Sequence, residues 1–126
     1  MSALVRCKSK MTDKAYLISA LKQLAVPDTA IKDSFTGDTS RIGIAKSWHN
    51  GTWGQAEYVK GPQSKTYTLT ASTEANRALD NKVGGSFNNQ VQQWYAALKV
   101  QDTLTAQGLY PTVQKEQGRI KVIAYG

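Results

Sequence analysis

The dipeptide Asn50-Gly51 sits between Ser47-Trp48-His49 and Thr52-Trp53-Gly54, and no other stretch of the chain restricts its folding as tightly. Asn-Gly accepts the positive φ angles of a type I′ turn, the connection that joins two strands through two residues. Such a turn pairs His49 with Thr52 and sets Trp48 opposite Trp53 at the closer, non-hydrogen-bonded position. Carried outward along strands 41–48 and 53–60, the same register pairs Ile42 with Val59, Gly43 with Tyr58 and Ile44 with Glu57. Two indoles on one face are either a cross-strand staple contributing roughly 0.5–1 kcal/mol or a flat platform on which a ligand ring lies.

Alternation predicts further strands. Ala3, Val5 and Cys7 point one way while Leu4, Arg6, Lys8 and Lys10 point the other, giving a strand with one small apolar face and one basic face. A helix follows from Lys14 to about Ala25, capped by Thr12 or Asp13, carrying Leu17, Ile18, Leu21 and Leu24 at helical spacing and stopped by Pro27. Residues 27–40 read as a connecting loop with one short helical turn, anchored by Ile31 and Phe35. After the turn Gly61-Pro62-Gln63-Ser64, a third sheet strand runs from Lys65 to Ala71.

From Ser72 to Asn89 the apolar signal fades, and the segment reads as a long mobile loop carrying Arg77 and Lys82. Ser86 or Asn88 opens a second helix through Val91, Trp94, Tyr95, Leu98 and Leu104, with Gly108 just past its end. A final hairpin runs over 112–115 and 119–125. The order strand, helix, meander, helix, hairpin predicts an α+β fold in one domain, 1–126. Its expected form is a single antiparallel sheet of about six strands with both helices packed on one face. The ferredoxin-like arrangement is one candidate, and the other sheet face is left open.

The chain has 126 residues, 40% of them hydrophobic, enough for one core and too few for two ordinary domains. No apolar run approaches the roughly 20 residues of a membrane span and no leader pattern opens the chain, so the expectation is a cytoplasmic protein without membrane association. Cys7 is the only cysteine, which excludes an internal disulfide and any cysteine-based zinc site.

Catalytic chemistry is scarce. The chain holds one histidine, and His49 acting as a general base has neither a nucleophile nor an orienting carboxylate near it in sequence. Gly61-Pro62-Gln63-Ser64-Lys65-Thr66 ends like a phosphate loop, but it lacks the second glycine and precedes a strand where that geometry needs a helix N-terminus. Gly84-Gly85-Ser86 lacks the closing glycine of a nucleophile elbow. The sequence therefore points to no enzyme, no metal and no cofactor; a hydrolase relying on His49 is the minor reading.

Binding chemistry remains. The formal net charge is +7, which favours polyanionic or phosphorylated partners. The candidate ligand-binding residues are Trp48, Trp53, His49 and Lys46 at the hairpin tip, Arg6, Lys8 and Lys10 on the first strand, and Arg77 and Lys82 on the following loop, with Lys65 nearby. Aromatic stacking beside cations is the pairing that holds a nucleobase and its phosphates. The expected function is a non-catalytic binding protein for an anionic small molecule, a nucleotide ahead of a nucleic acid, and a sequestering protein fits that profile. The alternative from another class is an adaptor or structural subunit that docks on a larger assembly through the open sheet face, with Trp48 and Trp53 as anchors. Uncovered strand edges make a homo-oligomer an open option.

Several segments also carry a family likeness. The opening strand, the helix Ala15-Tyr16-Leu17-Ile18-Ser19-Ala20-Leu21-Lys22-Gln23-Leu24, the strand Tyr67-Thr68-Leu69-Thr70-Ala71 and the helix start Phe87-Asn88-Asn89-Gln90-Val91-Gln92-Gln93-Trp94-Tyr95-Ala96 occur in order. Gln107-Gly108-Leu109 and Gly118-Arg119-Ile120-Lys121-Val122 follow them. Together they resemble the uncharacterised family of hypothetical chloroplast open reading frame thirty-five, found in cyanobacteria and algal plastids. The middle hairpin departs from that family's pattern. The resemblance implies a small α+β fold and a photosynthetic-lineage or phage-like source, and it implies no catalytic residue.

Overall fold

The computed structural model describes residues 4–33, 41–49, 56–61, 63, 65–116 and 119–125. The main sheet takes β1 (Leu4–Lys8), β2 (Ile31–Asp33), β3 (Arg41–Ile44), β4 (Ala56–Val59) and β5 (Thr68–Ser72) in the order β1-β5-β4-β3-β2. Every pairing in it is antiparallel. The helices are α1 (Lys14–Gln23), α2 (Lys46–His49), α3 (Thr73–Val83) and α4 (Phe87–Ala106), and a separate hairpin of β6 (Tyr110–Glu116) and β7 (Arg119–Tyr125) closes the described chain.

The α+β class stands, but the strands do not form one sheet. The final hairpin is a two-stranded sheet of its own, packed on α4, because Pro111, Val113, Ile120 and Val122 share one half-buried face and α4 offers the apolar surface that face needs. The main sheet also gains an edge strand from the expected loop: β2, preceded by a 3-10 turn at Asp28–Ala30.

The central register is one residue away from the expected one. Ile42 pairs with Tyr58, Gly43 with Glu57 and Ile44 with Ala56. The observed pairing keeps Ile42, Ile44, Ala56 and Tyr58 inward, each at most 1% exposed, whereas the other register sets Glu57 against Ile44. With one face buried, a one-residue slip moves every side chain to the wrong side, so burial overrides the turn signal. The Asn50-Gly51 turn itself, with Trp53, lies outside the described residues, as does Phe35.

Residues 73–83 are helix α3, where a mobile loop was expected. Ser72 caps it by accepting from the Ala75 N–H at 3.1 Å, and Ala75, Ala78, Leu79 and Val83 recur at helical spacing, with Ala75 and Leu79 fully buried. Alanine is a weak hydrophobic signal and the strongest helix former, so the segment looks unstructured by hydropathy while its propensity favours a helix. Gly84 stops the helix at φ +70°, in the left-handed region that suits glycine.

The helices α1 and α4 start and stop close to their sequence signals. Ser86 accepts from the Asn89 N–H at 3.3 Å, and Gly108, at φ +83°, ends α4 with the Leu109 N–H on the Leu104 carbonyl at 3.0 Å, a Schellman closure. Helix α1 closes in the same manner on Ala25, at φ +67°, with the Val26 N–H on the Leu21 carbonyl at 3.1 Å. The Tyr95 hydroxyl of α4 accepts from the Thr12 and Asp13 N–H groups at 3.0 and 2.8 Å, tying the entry of α1 to α4.

Candidate functional site

Trp48 does not stand on a strand as the turn signal suggested, and its pairing with Trp53 falls outside the described residues. Lys46–His49 is one turn of helix, with the Trp48 N–H on the Ala45 carbonyl at 3.0 Å. Trp48 is half-buried, packs on the Phe87 ring at a centroid distance of 6.2 Å and donates its indole N–H to the Ala25 carbonyl at 3.1 Å. A helical turn here gives the indole both an apolar neighbour and a hydrogen-bond acceptor, which outweighs the strand preference of tryptophan. Lys82 of α3 lies with its ammonium 5.5 Å from the Trp48 ring centroid, a cation–π contact. The structure thus brings Lys46, Trp48, His49 and Lys82 into one neighbourhood of α2 and α3, while Arg77 is an exposed residue of α3.

His49, expected on a hairpin strand, is the last residue of α2 and is buried at 3% exposure. Burial, then the nearby Lys46 charge, lowers its pKa below the ordinary value. The folded protein therefore holds His49 neutral where the unfolded chain takes up a proton. Its stabilisation is fully present above pH about 6.5 and is lost as pH falls from there through the folded pKa. Thermal melts between pH 7.5 and 5.5 should show destabilisation on acidification that His49→Gln reduces; an unchanged pH profile in that variant would refute this role.

Cys7 stands on the covered face of β1, half-buried against the core. Burial first, and the Asp80 carboxylate second, push its thiol up, which keeps it protonated and a poor nucleophile. Among the described residues no group of three or more His, Cys, Asp or Glu is placed to hold a metal ion, and no helix is long and apolar enough to cross a membrane.

The main sheet presents a second surface. Its pairings align two rows: Arg6, Thr70, Glu57, Gly43 and Lys32 in one, and Lys8, Thr68, Val59 and Arg41 in the other. The intervening row runs Cys7, Leu69, Tyr58 and Ile42, the last three at most 1% exposed under the helices. By the pleat, the first two rows lie on the opposite face. Arg6, Lys8, Lys32 and Arg41 are exposed there, and the threonines, Val59 and Glu57 between them are half-buried.

That face carries cations toward both edges and hydroxyls between them. At about 4.8 Å per strand the Arg6–Lys32 row spans roughly 19 Å. Glu57 forms an ion pair with Arg41 at 3.7 Å, so Arg6 and Lys8 at the β1 edge carry the less compensated charge. Arg6 and Lys8 were legible from the alternation of one strand; Arg41 and Lys32 were missed, since only cross-strand register puts them on the same face. Lys10 falls beyond β1, beside α4, and its N–H donates to the Gln92 Oε1 at 3.3 Å. Comparison with known proteins finds no matching family model, no matching curated protein and no matching solved structure.

Proposed function

We propose that the protein is a non-catalytic binding protein that holds an anionic partner on the open face of its five-stranded sheet. The observation that carries this reading is the alignment of Arg6, Lys8, Lys32 and Arg41 across that face, with Thr68 and Thr70 between them. Lysine and arginine neutralise phosphates, and threonine hydroxyls hydrogen-bond their oxygens.

Of the two ligand classes, the geometry favours an extended polyanion over a mononucleotide. A nucleotide reading needs a stacking surface beside the cations, and Trp48 is engaged with Phe87 and the Ala25 carbonyl instead. A surface roughly 19 Å wide, with charge toward both edges, suits a nucleic-acid strand held through its backbone phosphates.

The test is fluorescence anisotropy of a labelled single-stranded oligonucleotide at several salt concentrations. Arg6→Glu with Lys8→Glu should weaken binding about tenfold or more and reduce the slope of log affinity against log salt by about 1.4, since each backbone contact contributes about 0.7 for single strands. An unchanged slope in the variant would remove the sheet face from binding. Tight, salt-insensitive binding of a mononucleotide would instead restore the small-molecule reading.

A further inference from the structure

Helix α4 borders a groove that the sheet face does not explain. Near its middle a depression of about 510 Å³ is lined by Lys10, Met11, Gln92, Tyr95, Ala96 and Lys99, within the range of small-molecule sites. A second depression of about 340 Å³ is bounded by Val100 of α4 and by Ile120 and Val122 of β7. Gln93 and Ala96 line both, so the two form one trough. From Gln92 to Val100 it follows about 12 Å of helix, at 1.5 Å per residue.

The trough is chemically asymmetric. Its far end is aliphatic, and Val100 there is 46% exposed, one of two large hydrophobic side chains left open among the described residues. Its near end is cationic. Lys99 lies over the Tyr95 ring at 5.6 Å and shares its charge with Asp13 at 3.4 Å, whereas no ion pair engages Lys10 among the described residues. Gln92 accepts from the Lys10 N–H through Oε1, which leaves its amide N–H₂ group as a donor at the same end. The middle is kept open by Ala96, where a larger side chain would fill it.

We propose that this trough binds an amphiphile with one anionic head and an unbranched apolar tail, the head between Lys10 and Lys99 and the tail along Ala96 toward Val100, Ile120 and Val122. Within the lining of the trough charge stands at one end only, as such a molecule requires, and Lys115, opposite Ile120 across the hairpin, lines the neighbouring depression instead; an acidic amphipathic helix would need cations along its whole length. A nucleobase would need a ring to stack on, and Tyr95 is 6% exposed.

Titration calorimetry with decanoate below its micelle concentration tests this, with decyltrimethylammonium as the head control and butyrate as the tail control. Decanoate should bind saturably at one site, and both controls about tenfold more weakly or worse. Lys10→Glu should weaken decanoate about tenfold through the head, and Ala96→Trp should do so by filling the trough; both positions are exposed, and unchanged melting confirms the fold. Arg6→Glu with Lys8→Glu should leave decanoate binding intact, which separates this site from the sheet face. Absence of saturable binding overturns the proposal, as does equal affinity for decyltrimethylammonium or full retention of binding in Ala96→Trp.

Discussion

Phe87→Ala should cost about 3–5 kcal/mol, the range for truncating a buried aromatic side chain. Phe87 is fully buried at the first position of α4 and carries the Trp48 indole on its ring at 6.2 Å. Its N–H donates to the Asp80 Oδ1 of α3 at 2.8 Å. Three helices therefore meet at this residue, and a cavity there cannot close without moving one of them. Against a total stability of about 5–15 kcal/mol, the loss is a large fraction, equivalent to a melting point lower by roughly 10–20 °C. Thermal melts should show it together with a red shift of tryptophan emission as Trp48 becomes wetter. A loss below about 1 kcal/mol would mean that α2 is not held through this contact.

The second large effect is expected at Asn88, buried beside Phe87. The Tyr58 hydroxyl donates to its Oδ1 at 2.9 Å, and its Nδ2 donates to the Lys8 carbonyl at 3.3 Å. One side chain thus ties α4 to a central strand and to the edge strand that carries Arg6 and Lys8. Burial raises the Tyr58 pKa well above its ordinary value, so its hydroxyl stays a donor in need of an acceptor. Asn88→Leu leaves that hydroxyl unsatisfied in the core and should cost about 1–3 kcal/mol. Adding Tyr58→Phe should recover most of the loss, because deleting both partners is cheaper than deleting one. Denaturant melts of the two singles and the double give the coupling energy. Additive losses would show that the hydrogen bond is not what holds the strand to the helix.

The two binding surfaces differ in how much of them was legible beforehand. Arg6 and Lys8 alternate with Cys7 within one strand, so their common face was visible from three residues. Arg41 and Lys32 join that face only through the pairings Arg41 with Val59 and Lys32 with Gly43, which no local pattern encodes. The α4 trough joins Lys10 to a helix more than eighty residues later, and the same holds there. His49 and Trp48 were misplaced because the Asn-Gly turn signal and the indole spacing agreed with one another, while the decisive partners, the Ala25 carbonyl and Phe87, lie 23 and 39 residues away.

What the sequence by itself determined was local: α1 and α4 with their stops, the start of α4 at Ser86 or Asn88, the basic side of β1, the final hairpin and the absence of a cysteine pair. Those signals act within one or two helical turns or one strand, through side-chain period and backbone hydrogen bonds of near neighbours. Only the tertiary structure decided the one-residue register between β3 and β4, the helical turn at Trp48, the helix at 73–83 and the division into two sheets. Each of these depends on which apolar faces bury one another, and that burial, nonlocal in the chain, outweighs propensities worth a fraction of a kcal/mol per residue.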